Sequence, residues 1–184
     1  MTWIIPGTTL EVQYEDADNV ASLFSSMFLP GGMMLSQVAR ISGLEAYTIQ
    51  NWVKRGFLSP PKGKRYTMRQ LCRILNINML KGALTMEQIC GLLGYINGAL
   101  DDENDDLIDD AELYFMFVRL AARARRQHTL SQWQGSISEV LDRYREPVPG
   151  AKERIAKVLE IMIAAWFATQ MRQETERMLT ELTV

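Results

Sequence analysis

The sequence predicts a mostly α-helical protein, and two observations support this class. Apolar residues recur at intervals of three and four through most of the 184 residues, which is the spacing of a helix that buries one face. Glycine and proline interrupt this pattern repeatedly, so several short helices are expected before a long one that starts near residue 151.

Residues 1–32 are predicted to form an N-terminal extension with an extended start and a short amphipathic helix. The helical pattern ends at Pro30, Gly31 and Gly32. The apolar residues that recur before this point are Val20, Leu23, Phe24, Met27 and Phe28. We expect this segment to serve in packing.

A helix, a glycine turn and a second helix follow. Ser36 is predicted to cap the first helix, which ends at Gly43. The second helix is expected from about Ala46 to Arg55 and stops before Gly56. This order is the outline of a helix-turn-helix.

The segment from Pro60 to Tyr66 cannot be helical, because proline lacks a backbone N–H donor and glycine permits a positive φ. It predicts a tight loop between short extended pieces. Two more helices are expected after it. One carries Leu71, Ile74, Leu75 and Ile77 to Leu80, and the other is capped by Thr85 and carries Met86, Ile89, Leu92 and Leu93.

Charge is distributed very unevenly, although the whole chain has a net charge of only -2. The cations between Met33 and Lys81 are opposed there by Glu45 alone, and they are Arg40, Lys54, Arg55, Lys62, Lys64, Arg65, Arg69, Arg73 and Lys81. This segment carries +8 and the remainder -10. Such a split indicates a module that binds a polyanion, joined to an acidic remainder.

Three sequence blocks in this region resemble the DNA-binding region of the MerR family of bacterial transcription regulators. The helix LSQVARISG precedes Thr48 to Leu58, which reads TIQNWVKRGFL and fits the family's recognition-helix pattern. Lys64 to Leu71 then matches the exit of the family's wing, and Ala83 to Leu93 matches its following helix. The resemblance covers Leu35 to Leu93, or 59 of the 184 residues.

The resemblance implies that residues 33–98 form a MerR-like winged helix-turn-helix with a small wing. A helical accessory domain would follow it. On the second helix, Ile49, Trp52 and Val53 are expected in the core, which leaves the opposite face for base edges. The loop cations would contact phosphate. The predicted DNA-binding residues are Ser36, Tyr47, Thr48, Gln50, Asn51, Lys54, Arg55, Lys62, Lys64 and Arg65. Gln50 and Gly63 depart from the family, which usually has arginine and tyrosine there.

Residues 99–112 are predicted to be an acidic linker and helix start, because acids suit a helix N-terminus. Residues 113–184 would form the accessory or dimerisation domain, with helices at Leu113–Arg126, Ser136–Arg145 and about Ala151–Leu182. Trp166 and Phe167 lie on adjacent positions of the last helix, about 100° apart. A second subunit is expected to cover them, and packing on the neighbouring helices is the alternative.

The acidic segment from Asp101 to Glu112 also resembles a calcium loop, with acids at positions 1, 3, 5, 9 and 12. Asp106 stands where such a loop needs glycine, so a linker is the favoured interpretation.

Cys72 and Cys90 form no CxxC pair, and with His128 as the lone histidine they are expected to be reduced core thiols.

The sequence therefore predicts sequence-specific binding to double-stranded DNA by a homodimer that assembles through the C-terminal helix, with a role in transcription regulation. No catalytic constellation, cofactor or metal site is expected. The start of the chain has no signal-peptide pattern and no stretch could span a membrane, so a cytoplasmic protein is expected. The alternatives are a protein-interaction adaptor on a helix-turn-helix scaffold and an accessory factor for recombination or excision.

Overall fold

The structure, a computed structural model, describes residues 2–29, 31–98, 100, 105–124 and 130–182. Within them the α-helices are α1 Val20–Met27, α2 Leu35–Ser42, α3 Ala46–Lys54, α4 Met68–Leu80, α5 Met86–Asn97, α6 Asp110–Ala124, α7 Leu130–Leu141 and α8 Ala151–Leu182. A 3-10 helix covers Tyr14–Asn19. The strands are β1 Thr2–Ile4, β2 Glu11–Gln13, β3 Met33–Met34 and β4 Arg65–Tyr66. The predicted mostly α-helical class is confirmed.

The strands form two small antiparallel pairs. In the N-terminal pair, β1 lies beside β2 with Trp3 opposite Val12. In the other, β3 lies beside β4 with Met33 opposite Tyr66. This second pair joins the start of α2 to a hairpin 30 residues later in the chain, so it fixes that hairpin next to α2.

The loop between β1 and β2 caps the end of α2. The Thr9 N–H donates to the Ile41 carbonyl at 2.8 Å, and the Thr9 hydroxyl donates to the Arg40 carbonyl at 2.8 Å. The carbonyls at the end of a helix have no partner within it, so these bonds satisfy two of them. Gly7 has a φ of +75°, and a Cβ there would lie 2.6 Å from the Leu75 carbonyl oxygen. This close approach requires glycine.

The first turn of α2 differs from the prediction, because Ser36 lies inside the helix and does not cap it. The helix begins at Leu35, two residues earlier than a Ser36 cap allows. Met34 occupies the cap position, and its N–H donates to the side-chain oxygen of Gln37, three residues later, at 2.8 Å. Thr67 and Thr85 do cap α4 and α5, and each hydroxyl accepts a backbone N–H bond from the residue three positions later.

Helices α4 and α6 form the centre of the molecule. Ten of the thirteen residues of α4 are buried, and α6 packs along this helix. The buried apolar residues of the N-terminal extension, of α2 to α5 and of α6 to α8 belong to one contiguous cluster. For example, the ring centroids of Phe24 on α1 and Tyr114 on α6 are 5.8 Å apart. The boundaries between the four segments drawn from the sequence stay a prediction.

Helix α7 was predicted over Ser136–Arg145, and both bounds are wrong. The helix covers Leu130–Leu141. It starts earlier because Trp133 packs on the Phe167 ring. The two ring planes are nearly parallel, and the ring centroids are 5.1 Å apart. It stops earlier because the chain turns after Leu141 to place the Tyr144 hydroxyl, which donates to the Leu107 carbonyl.

Helix α8 has the predicted bounds, but the argument that Trp166 and Phe167 need a second subunit is wrong. Trp166 contacts the Phe117 ring of α6 edge-on at 6.2 Å, and Phe167 stacks on Trp133 of α7. Both side chains are half-buried within the chain itself.

Among the described residues, no helix is long and apolar enough to cross a membrane.

Candidate nucleic-acid interface

Helix α3 exposes one polar face. Ile49 and Trp52 are buried, whereas Tyr47, Gln50, Asn51 and Lys54 are exposed. These four residues recur at intervals of three and four, so they share one side of the helix. Tyr47 is 71% exposed, which is high for so large an aromatic side chain. The face can donate and accept hydrogen bonds and carries one positive charge.

The turn before α3 sets the direction of this helix. Gly43 ends α2 in the left-handed region with a φ of +67°, a conformation that favours glycine. The Ser42 hydroxyl donates to the Val38 carbonyl at 2.8 Å and accepts a bond from the Leu44 N–H at 3.3 Å. Leu44 is buried, so the turn is tied to the core on both sides of the glycine.

A two-residue hairpin turn carries the next group of cations. Lys62 and Arg65 face each other across the turn, and the Arg65 N–H donates to the Lys62 carbonyl at 3.0 Å. Gly63 and Lys64 between them have φ values of +57° and +62°. Two successive positive φ values are the mark of a type I′ turn. Lys62, Lys64 and Arg65 are all exposed, and the Arg65 guanidinium donates to the Gly32 carbonyl at 2.9 Å.

The side chain of Gln70 on α4 holds the segment that joins α3 to this hairpin. Its amide nitrogen donates to the carbonyls of Ser59 at 2.9 Å and Pro60 at 3.0 Å. Its amide oxygen accepts the Thr67 N–H at 2.9 Å. Gln70 is buried, so these bonds replace water around a connector that has two prolines and few donors of its own.

Arg73 on α4 holds the same connector one helical turn further along. Its Nε donates to the Phe57 carbonyl at 3.1 Å, and its Nη1 lies 3.3 Å from an oxygen of Asp110 at the start of α6. Arg73 and Asp110 are both buried. Removal from water raises the pKa of the Asp110 carboxyl, and the Arg73 and Arg69 guanidinium groups oppose that rise.

Arg69 extends this ion pair into a cluster. Its guanidinium binds the Asp106 carboxylate and lies 3.8 Å from Asp109 and from Asp110. Asp101 to Asn104, the first part of the suggested calcium loop, lie outside the described residues. Within the described part, the Asp106 and Asp110 carboxylates are occupied by arginine.

The structure divides the nine cations of the basic segment into two groups. Arg69 and Arg73 bind aspartates of the acidic segment. The other seven are exposed, and they are Arg40, Lys54, Arg55, Lys62, Lys64, Arg65 and Lys81. The charge counted from the sequence therefore exceeds the charge that can face a polyanion.

The predicted site residues fall into three places. Tyr47, Gln50, Asn51 and Lys54 lie on the exposed face of α3, and Lys62, Lys64 and Arg65 lie on the hairpin. Ser36 is exposed in the first turn of α2, Thr48 is half-buried, and Arg55 lies over the Phe57 ring at 4.7 Å. Whether any of them contacts DNA stays a prediction.

Sequence reasoning missed the two residues that position this site. Gln70 could have been found, because Thr67-Met-Arg-Gln70 fits the capping-box pattern in which a glutamine side chain returns to the cap. Arg73 had no such signal, because its carboxylate partner is 37 residues away in the chain.

The fold and the site define a mostly α-helical protein with an exposed, cationic helix and hairpin. The family model described as "Domain of unknown function (DUF1836)" matches residues 18–117, and the chain belongs to this family. The matched residues contain α3, the hairpin and both partners of the Arg73–Asp110 pair.

One curated relative extends the comparison. The chain is 26% identical over 116 residues to "Uncharacterized protein YkrK" of Bacillus subtilis strain 168, an alignment that covers 61% of this chain and 50% of the relative. The chain thus spans about half the length of this relative. No solved structure matches the chain.

Proposed function

We propose that this protein binds double-stranded DNA in the cytoplasm and regulates transcription, with α2, α3 and the hairpin acting as a MerR-like winged helix-turn-helix. In this proposal α3 enters the major groove, where Gln50 and Asn51 can each pair with the edge of adenine. Lys62 and Lys64 on the hairpin would contact phosphates and set the position of the module on the duplex.

The observation that carries the proposal is the way α4 holds the connector between α3 and the hairpin. Gln70 and Arg73 bind three carbonyls of that connector, at Phe57, Ser59 and Pro60. A reading helix and a phosphate-binding hairpin must keep a fixed distance to match one duplex. The buried side chains supply this rigidity while the polar face of α3 and the lysines stay exposed.

The proposed binding form is a homodimer, because one small module contacts few base pairs and two symmetric modules read two half-sites. A recombination or excision accessory factor would use the same DNA-binding step. A protein-interaction adaptor would not, so measuring binding to DNA separates that alternative from the other two.

The test is the salt dependence of binding to a random-sequence duplex, measured by fluorescence anisotropy. We expect log K to fall linearly with log salt concentration. The variant Lys62→Gln/Lys64→Asn should reduce the slope by about two units, because each phosphate contact contributes about 0.9. Asparagine is chosen at position 64 because it tolerates a positive φ.

The matched control is Lys152→Gln/Lys157→Gln on α8, which removes the same charge far along the chain from the hairpin. It should leave the slope unchanged. An equal change of slope in both variants would mean that the overall net charge of the protein, and not the hairpin, causes the effect. The absence of any salt-dependent binding would overturn the proposed function.

A further inference from the structure

The second half of α8 carries an apolar stripe that no part of the described chain buries. The helix continues for thirteen residues after Thr169, and every side chain from Gln170 to Leu182 is exposed. An isolated helix of this length is marginal in water. Ion pairs between Arg172 and Glu176, and between Arg177 and both Glu174 and Glu181, support it along its other faces.

The apolar residues of this half follow a heptad pattern. Ala168, Met171, Thr175, Met178 and Leu182, here called the α8 seam, are spaced by alternating intervals of three and four. All five are exposed, and Met171, Met178 and Leu182 are exposed by 65%, 55% and 82%. Ile161 and Ala164 continue the same spacing toward the start of the helix and are also exposed. This spacing is that of a coiled-coil interface, with alternating a and d positions.

The seam lies on the opposite side of α8 from the residues that bind the helix to its own chain. Ile155, Val158, Met162 and Thr169 are buried and cluster around one direction of the helix. At 100° per residue, the seam points about 160° away from that direction. A partner can therefore reach the seam without displacing the contacts of these four residues. Trp166 and Phe167, which suggested a dimer in the sequence, are not part of it.

We propose that the α8 seam is the site at which a second copy of this chain pairs, with the two α8 helices parallel. The inference rests on the proposed homodimer and is independent of DNA binding. In a parallel pair each seam residue meets its own counterpart, so the stripe is complementary to itself. The small residues Ala168 and Thr175 then alternate with pairs of methionines along the contact.

The charges beside the seam select the parallel orientation. Arg172 is at an e position and Glu174 at a g position. An antiparallel pair that puts Ala168 opposite the partner's Met178 places Arg172 beside the partner's Arg172 and Glu174 beside the partner's Glu174. Shifting it by one heptad places Glu174 beside the partner's Glu181. The parallel pair puts Arg172 beside the partner's Phe167 and Glu174 beside the partner's Leu179, so like charges do not meet.

Sedimentation of the full chain without DNA tests the seam. At roughly 20 µM we expect twice the 21.0 kDa mass of the chain. Met171→Glu/Met178→Glu should sediment as a monomer, because glutamates would face each other at two layers. The control Gln173→Glu/Thr180→Glu adds the same charge to the opposite face and should remain a dimer. Circular dichroism should show that all three proteins remain folded and mostly helical.

Cysteine cross-linking tests the orientation, in chains that also carry Cys90→Ser to remove a half-buried thiol. Under a thiol oxidant, Met178→Cys alone should form a covalent dimer. A mixture of Ala168→Cys and tagged Met178→Cys chains should form no mixed species. A mixed species would overturn the parallel arrangement. A monomeric wild-type protein, or a dimer unaffected by the two glutamates, would overturn the seam, and neither result bears on DNA binding.

Discussion

Two groups of cations lie close together in the sequence and are used in opposite ways. Lys62, Lys64 and Arg65 on the hairpin are exposed, whereas Arg69 and Arg73, only a few residues later, bind aspartates. The first group can meet a ligand from outside. The second attaches α6 to the helix that supports the hairpin. A positive charge is available for binding only where the fold leaves it without a carboxylate.

This difference has an energetic side. Buried ion pairs pay a large desolvation cost and are sensitive to the loss of one partner, whereas exposed cations contribute little to folding. Substitutions in the second group should therefore change stability, and those in the first should change binding.

The largest effect is expected from Asp110→Ala. This substitution leaves the buried Arg73 guanidinium without its carboxylate, which should lower the free energy of unfolding by about 3–5 kcal/mol. Urea denaturation measures the change. The control Asp142→Ala removes an exposed acid and should stay within about 0.5 kcal/mol of the parent protein. Similar small losses in the two variants would mean that the cluster behaves like surface charge.

An intermediate effect is expected from Gln50→Ala and from Asn51→Ala on α3. Each should weaken binding to a preferred duplex, selected from a random pool, by about 1–3 kcal/mol. Binding to random duplex and the stability of the fold should hardly change, because both side chains are exposed. Gln132→Ala on α7 serves as a matched amide control. An equal loss on selected and random DNA would contradict a role in base recognition.

The smallest effect is expected from Lys64→Gly at the tip of the hairpin. A lysine with a φ of +62° is strained by about 1–2 kcal/mol, and the added freedom of glycine in the unfolded chain offsets about half of this. The free energy of unfolding should rise by roughly 0.5 kcal/mol. Thermal and urea denaturation can both detect such a change.

Lys62→Gly is the comparison that sharpens this prediction. Lys62 has no positive φ, so glycine there should lower the free energy of unfolding by about 0.5–1 kcal/mol. Both variants should reduce the salt slope of DNA binding by about one unit. The prediction fails if the two substitutions change stability in the same direction.

Local signals predicted much of the fold. Gly43 and Gly56 interrupt the helices where the sequence indicates, and Thr85 caps the start of α5 as predicted. The exposed face of α3 also followed from periodicity, because Ile49 and Trp52 had to face the core. Each of these features depends on residues a few positions apart, and a single sequence contains that information.

Contacts between distant segments could not be predicted in this way. The sequence predicted that residues 99–112 form an acidic linker. Because Asp110 pairs with Arg73, this segment instead helps to support the connector between α3 and the hairpin. The stacking of Trp133 on Phe167 moved the start of α7 and covered an aromatic side chain that had suggested a dimer. In both cases the partner is chosen by the packing of helices, which periodicity does not specify.

The hydrogen bond from the Tyr114 hydroxyl to the Pro6 carbonyl, at 2.9 Å, joins residues 108 positions apart. A ribosome adds about 5–20 residues per second, so Pro6 waits at least several seconds for this partner. During that interval the loop that caps α2 lacks the α6 surface behind it. Newly made chains should therefore remain open to protease in the N-terminal loop until α6 has left the exit tunnel, and stalling translation before or after that point would show when the loop becomes protected.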